Sequence, residues 1–262
     1  MIKAQKLKTY DPKHFRSGWA SVKLNGLHAI YDGSIIYSRK PKEFIGLTDL
    51  LIELEKLYNY LPYPIAGELI LPGADFETLS GLLRNSEETP GFIFNIFACI
   101  EDQSLLYYND VLSIHPEIKQ IKVIPQIWVE TTHAFDAFFE SSVLRGYEGV
   151  CWQVPDFTYS PGKRNWTWMK RVPFKSIDVL VIDVLPGTKG KKFENTLGSF
   201  LCSYGSKRFS VGIFKGFNTA WRDKIWANRK AYINQFATIE FKDFSKYGVP
   251  LQPRFKGFRW EI

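Results

Sequence analysis

Sulfur is scarce in this chain. Its three cysteines, Cys99, Cys151 and Cys202, stand far apart in apolar or aromatic segments, and only 2 residues are Met. No cysteine pair has the spacing of a metal-ligand set, and the 4 histidines complete no cluster with them. Odd and dispersed cysteines read as buried thiols of a reducing compartment rather than as a disulfide framework. Long apolar runs are missing as well. The opening "MIKAQKLKTYDPKHF" has no apolar stretch of the secretory kind, and no later segment is an uninterrupted membrane span. A soluble, intracellular protein with no membrane partner is therefore expected. With no internal repeat and no low-complexity linker, any two domains must be joined by a short hinge.

Aromatic side chains and positive charge are what the chain has in quantity. Its 262 residues include 8 Trp, 13 Tyr and 21 Phe, with 45% hydrophobic and 23% charged residues, the composition of an ordered globular protein with a sizeable core. The formal net charge of +7 favours a polyanionic partner, nucleic acid first.

The stretch "SVKLNGLHAIYDGSIIYSRK" reads as a strand ending at Lys23, a break at Asn25-Gly26, a second strand, a tight Asp32-Gly33 hairpin turn and a third strand. Leu47, Leu50, Leu51, Leu54, Leu57, Tyr58 and Leu61 share one face of a helix, a spacing that argues core packing. Further strands are expected at "IAGELIL", "GFIFNIFACI", "KVIPQIWVE", "YEGVCWQV" and "WTWMKRV". Helices are expected at "FETLSGLLRN", near "YNDVLSIHPEI" and at "THAFDAFFESSVLRG", the last with Thr132 as N-cap and Gly146 just past its end. Beyond "PFKS" the character changes. "IDVLVIDVL", "LGSFLCSY", "RFSVGIFKG" and "FATIEFKDF" are strands of similar length interrupted by one helix, "TAWRDKIWANRKAYI", which suits a small closed barrel. The boundary is placed near Phe174.

Four charges stand out because they sit on apolar strands. A strand lysine, Lys23, runs into a backbone-breaking Asn-Gly, and the glycine would let a phosphate or sugar approach the main chain. Glu68 in "AGELIL", Glu148 in "GYEGVCWQV" and Lys170 in "WTWMKRV" are each costly to bury unpaired. Two acids and two lysines on successive strands suit a metal-bound polyphosphate, with carboxylates on the cation and lysines on phosphate oxygens.

In order and spacing these segments resemble the covalent nucleotidyltransferases, and among them the compact ATP-dependent DNA ligases of viral and phage type. "KLNGLH" falls at the KxDGxR motif and "SRKPKEF" at the segment after it. "AGELIL", "FIFNIF", "YEGVCW" and "WMKRVPFKSID" follow in the family's order, and "VPLQPRFKGFRWE" resembles its terminal motif. The resemblance implies an α+β fold. Residues 1–174 would form a nucleotidyltransferase (ATP-grasp-like) adenylation domain of antiparallel sheets with flanking helices, and residues 175–262 a C-terminal OB-fold β-barrel. It also implies sealing of 3′-OH/5′-phosphate nicks in duplex DNA, through a lysyl-AMP and then a DNA-adenylate, as in DNA replication, repair and recombination. ATP and Mg²⁺ or Mn²⁺ would be the cofactors, nicked duplex DNA the partner, and a monomer the working form. ATP rather than NAD follows from only 22 residues preceding Lys23 and from the absence of zinc-binding cysteines. The short basic loop "LPGTKGKKFENTL" implies DNA held mainly by phosphate contacts.

Carried over residue by residue, Lys23 is the nucleophile, Glu148 binds the metal, and Glu68 holds the ribose and helps with metal. Ser21 lines the adenine pocket and Phe94 stacks on adenine. Lys170 contacts the α-phosphate. Arg39, Lys40 and His28 meet DNA, the first and last at the 5′-phosphate. Arg259 with Arg254 orients the leaving pyrophosphate. The chain departs from the family pattern at Asn25, His28, Asn95, Val172 and Leu251; the nucleophile, both acids and Lys170 are kept, so an active enzyme is expected. The alternatives are an RNA ligase or an mRNA-capping guanylyltransferase, and a non-catalytic OB-type protein whose aromatic strands stack bases.

Overall fold

The computed structural model describes residues 1–85, 88–101, 105–213 and 216–259. The chain divides into two compact units, Met1–Val172 and Pro173–Ile262.

In the first unit a two-residue strand, β1 (Lys8–Thr9), precedes β2 (Gly18–Lys23), β3 (Leu27–Tyr31) and β4 (Ile36–Ser38). The Asp32-Gly33 turn closes β3 on β4. Gly33 takes a positive φ of 99°, and the Asp32 carboxylate accepts from the amides of Ser34 and Ile35. Helix α1 (Thr48–Tyr60) follows, then β5 (Ile65–Ile70), α2 (Phe76–Asn85) and β6 (Ile93–Cys99). Leu50, Leu54 and Leu57 of α1 are buried as their spacing requires, against Phe92, Phe94 and Ile96. Next come α3 (Leu105–Ile114), β7 (Ile121–Val123), β8 (Gln126–Val129), α4 (Thr132–Leu144), β9 (Gly149–Gln153) and β10 (Trp168–Arg171).

These strands form two five-stranded sheets, ordered β1-β10-β9-β2-β8 and β4-β3-β5-β6-β7. The chain crosses from one sheet to the other at two short connections. One is the Asn25-Gly26 break between β2 and β3. The other lies inside "KVIPQIWVE", expected as a single strand and found as two. Pro125 has no N–H to give a ladder, so β7 ends in the second sheet against β6 and β8 begins in the first against β2. Helix α4 also starts one residue earlier than expected in its capping. Thr131, not Thr132, accepts from the Ala134 amide at 3.1 Å, because its extended backbone turns the hydroxyl toward the first helical turn. Gly146 ends that helix with a φ of 85°.

The second unit is a closed barrel of β11 (Lys175–Pro186), β12 (Leu197–Tyr204), β13 (Lys207–Gly212), β14 (Phe236–Phe241) and β15 (Arg254–Phe258). Closure depends on the length of β11. Its first half pairs with β14 and its second with β12, and a bulge between Val181 and Asp183 bends it where the partner changes. Inward residues Val179, Val181, Phe200, Val211, Ile239, Phe255 and Phe258 fill the interior. Helix α5 (Thr219–Ala227) is capped by Asn218 and fastened to the barrel by Arg222. That buried guanidinium donates to the Leu197 and Ile213 carbonyls at 2.7 and 3.0 Å and lies 4.2 Å from the Phe193 ring centroid. The expected helix through "RKAYI" instead becomes a short 3-10 turn, Arg229–Tyr232. Of the expected strand "RFSVGIFKG", Phe214 and Lys215 lie outside the described residues, as do Trp260 and Glu261 of the terminal motif.

Candidate active site

Register alone gathers most of the candidate residues. On β2, Trp19, Ser21 and Lys23 point to one face, since side chains alternate along a strand. Across from them on β9 stand Gln153, Cys151 and Gly149, and across from Gln153 and Cys151 on β10 stand Trp168 and Lys170. In the second sheet His28 on β3 pairs with Glu68 on β5. The two faces meet in a cavity lined by Ser21, Lys23, His28, Arg39, Glu68, Phe97, Cys151, Gln153, Trp168 and Lys170. The two connections between the sheets supply Leu24 and Ile124.

At its centre the Lys23 Nζ donates to Glu148 Oε2 at 2.6 Å, with both side chains mostly buried (18% and 12% exposed). Burial pulls the Lys23 amine down, but Cys151 beside it and the carboxylates of Glu148 and Glu68 outweigh that and hold it above the ordinary lysine value. Lys170 goes the other way. Burial and repulsion from the Lys23 cation lower its pKa, only partly offset by Glu148. Burial pushes Glu68 up to about 7 against the pull of Lys23, and pushes the Cys151 thiol up to about 12.

Two glycines set the acids in place. Gly149, at a φ of 151°, sits where a Cβ would overlap the Arg171 carbonyl oxygen, so β9 approaches β10 closely just after Glu148. Gly26 was expected to admit a phosphate or sugar; here it admits β5. A Cβ there would overlap the Leu69 carbonyl oxygen, and the Gly26 amide donates to Glu68 Oε1 at 3.2 Å.

Ser21, Lys23, Glu68, Lys170, His28 and Arg39 line the cavity together, and Glu148 joins them through Lys23. Lys40 is exposed outside the cavity lining. Phe94 departs from expectation. It is fully buried in the core, its ring packed over Gly67, while Phe97 three residues on lines the cavity between His28 and Trp168, at ring-centroid distances of 5.4 and 5.2 Å. Asn95 is the one polar residue of the strand and shares the face of Phe97, but a single polar position in an apolar run gave alternation little to orient it. His28 also differs from a cationic phosphate contact. Burial and the Arg39 cation lower its pKa to about 3, and neither ring nitrogen has a partner among the described residues. Lining residues not singled out by sequence are Phe97, Cys151, Gln153 and Trp168, together with Lys6, Leu7, Val22 and Arg164. The alternation of "GVCWQ" on a strand whose neighbour carries Ser21 and Lys23 was the signal for two of them.

On the second unit, Arg259 pairs with Asp178 at 3.1 Å, and the Arg254 guanidinium lies 4.7 Å from the centroid of the Phe174 ring. Among the described residues no three His, Cys, Asp or Glu side chains gather as a metal-binding group. Glu148 and Glu68 nonetheless suit a Mg²⁺-type ion, which takes one or two carboxylates and completes its shell with phosphate oxygens and water. The Lys23 ammonium already stands as a cation beside both.

The chain is similar to proteins already known. The chain is 27% identical over 273 residues to the DNA ligase of African swine fever virus (isolate Warthog/Namibia/Wart80/1980), covering 92% of this chain and 63% of the viral enzyme. It thus spans less than two thirds of the length of the curated relatives it matches. Among solved structures it superposes on Pmar-Lig_PreS3 with a TM-score of 0.81 at 24% identity, covering 99% of this chain and 68% of that one. A Lig E DNA ligase gives a TM-score of 0.77 at 22% identity, covering 99% and 100%; at such identities the likeness is one of fold. A DNA ligase OB-like domain model matches residues 189–259, and an ATP dependent DNA ligase domain model matches residues 4–171, more than half of the sequence. By that match the chain belongs to the ATP-dependent DNA ligase family.

Proposed function

We propose that this chain seals 3′-OH/5′-phosphate nicks in duplex DNA with ATP, acting as a monomer in an intracellular compartment. The observation that carries the reading is the buried Lys23–Glu148 pair in a cavity shared with Glu68, Lys170 and Arg39. A protein that merely binds nucleic acid gains little from burying such a pair, because desolvation offsets most of the attraction.

In the first step the Lys23 nitrogen lone pair attacks the α-phosphorus of ATP. A P–N bond forms, the bond to the bridging oxygen breaks, and pyrophosphate leaves with that electron pair. The amine must first lose a proton, and Glu148 Oε2 at 2.6 Å is an acceptor already in contact. Lys170, with its lowered pKa, faces the α-phosphate and neutralises charge gathering on its oxygens. Glu68 receives the ribose. Glu148 and Glu68 would hold Mg²⁺ or Mn²⁺, which when bound supplies further charge neutralisation at the phosphates. Next, a 5′-phosphate oxygen of the nick attacks the adenylate phosphorus and the P–N bond breaks. The 3′-hydroxyl oxygen then attacks the 5′-phosphorus and loses its proton to solvent; a P–O bond joins the strand as the P–O bond to AMP breaks, and AMP leaves with that electron pair. Positioning and charge carry most of this chemistry. Arg259 and Arg254 serve the leaving pyrophosphate, and Arg39 and Lys40 the DNA.

The test is incubation of the purified chain with α-labelled ATP and a divalent ion, then denaturation. Label that survives base and is lost in acid, and is absent from Lys23→Ala, is the expected result. Transfer of label from GTP instead would favour a capping enzyme. Nick closure undiminished in Lys23→Ala would sink the reading.

A further inference from the structure

At the end of the cavity away from Lys23 lies a chain of side-chain amides that the reaction above leaves unused. Gln153 is 6% exposed and lines the cavity. It stands two residues beyond Cys151 on β9, hence two strand steps further from the level of Lys23. Gln126, on β8, donates from Nε2 to Gln153 Oε1 at 2.6 Å, and Gln153 Nε2 donates to the Phe97 carbonyl at 3.5 Å. Both contacts are made in one orientation of the Gln153 amide. Turned over, its oxygen would face the Phe97 carbonyl, acceptor against acceptor, and Gln126 would have to turn its own amide to keep their contact.

So held, Gln153 keeps one lone pair on Oε1 and one hydrogen on Nε2 for whatever fills the cavity. Beside it the Phe97 and Trp168 rings form an aromatic wall. Trp168 stands directly across from Gln153 on β10. Its indole N–H is buried without an acceptor among the described residues. Flat rings beside a fixed acceptor–donor pair suit a planar heterocycle that offers one amino group next to ring-nitrogen acceptors. Adenine has that pattern, and glutamine can meet it with two hydrogen bonds. Guanine carries a carbonyl oxygen where adenine has its amino group, and would set oxygen against Oε1.

We propose that Gln153 reads the base of the nucleotide, its amide oriented by the Phe97 carbonyl and supported by Gln126 as a positioning residue. The proposal rests on the nucleotidyl-transfer reading of the site. The test measures initial rates of protein labelling from α-labelled ATP and from α-labelled GTP, as a ratio, in the whole chain with a divalent ion. Wild type is expected to favour ATP. Gln153→Met keeps the side-chain bulk without the amide and is expected to lower the ATP:GTP ratio about tenfold or more. Gln126→Glu puts an acceptor-only group in place of the donor, draws the Gln153 NH₂ round, and is expected to move the ratio toward GTP by at least as much. A merely structural role for either glutamine would lower both rates together and leave the ratio alone. Both variants labelling with the wild-type ratio overturns the proposal while leaving the ligase reading intact. No label on wild type from either nucleotide overturns both.

Discussion

His28 and Glu68 face each other across β3 and β5 and respond to acid in opposite senses. Burial and Arg39 drop the imidazole to about 3, while burial lifts the carboxyl to about 7. Between those values and their unfolded ones, near 6.5 and 4.5, the unfolded chain binds more protons at His28 and the folded chain more at Glu68. Stability from the neutral imidazole is complete above pH 6.5 and is lost as pH falls toward 3. The protonated carboxyl contributes below 4.5 and is lost as pH rises through 7. Lys23 and Arg39 bear on both groups as cations. Wild type therefore hides two slopes that partly cancel. From pH 7 to 5, urea melts without divalent ion should show His28→Phe gaining about 2 kcal/mol on wild type, and Glu68→Gln losing about 2 kcal/mol. Parallel curves for all three proteins would refute the assignment. At this scale the charged residues were legible in sequence because Lys23, Glu68, Glu148 and Lys170 interrupt apolar strands. Phe97 was not, since either phenylalanine of "FNIF" could have faced the cavity.

The elements show where pattern suffices and where it fails. The α1 leucine face and the Asp32-Gly33 hairpin are local, set by periodicity and by one positive φ. The splitting of "KVIPQIWVE" between two sheets depends on partners far away in sequence, and only Pro125 hinted at it. The pairing of β9 with both β2 and β10 is likewise invisible locally, yet it sets Glu148 against Lys23. Gly149 makes that pairing possible, which gives a contrast between two glycines of positive φ. Gly149→Ala forces a Cβ against the Arg171 carbonyl and should cost about 3 kcal/mol, measured by thermal melting, together with loss of labelling from ATP. Gly146→Ala, where a Cβ meets nothing within 4 Å, should cost about 1 kcal/mol and leave labelling near wild type. Equal losses in the two would mean that the approach of β9 to β10 is not what holds Glu148.

Across the whole molecule, each unit has its own apolar core, and a formal charge of +7 is spread over the 262 residues. Composition pointed to a polyanion but could not say which. Affinity for a nicked duplex should fall by roughly a hundredfold or more between 50 and 200 mM salt, read by gel shift or fluorescence anisotropy. A flat response would remove phosphate contacts as the main grip on DNA. The first unit carries one further implication. Its two sheets are stitched together twice, at Asn25-Gly26 and at Pro125, and both seams border the cavity around Lys23. A book bound along two lines of its spine cannot fall open at either one. Width between the pages is therefore inherited from the backbone at Leu24 and Ile124, and whatever occupies the cavity finds a slot of fixed gauge instead of having to shape one.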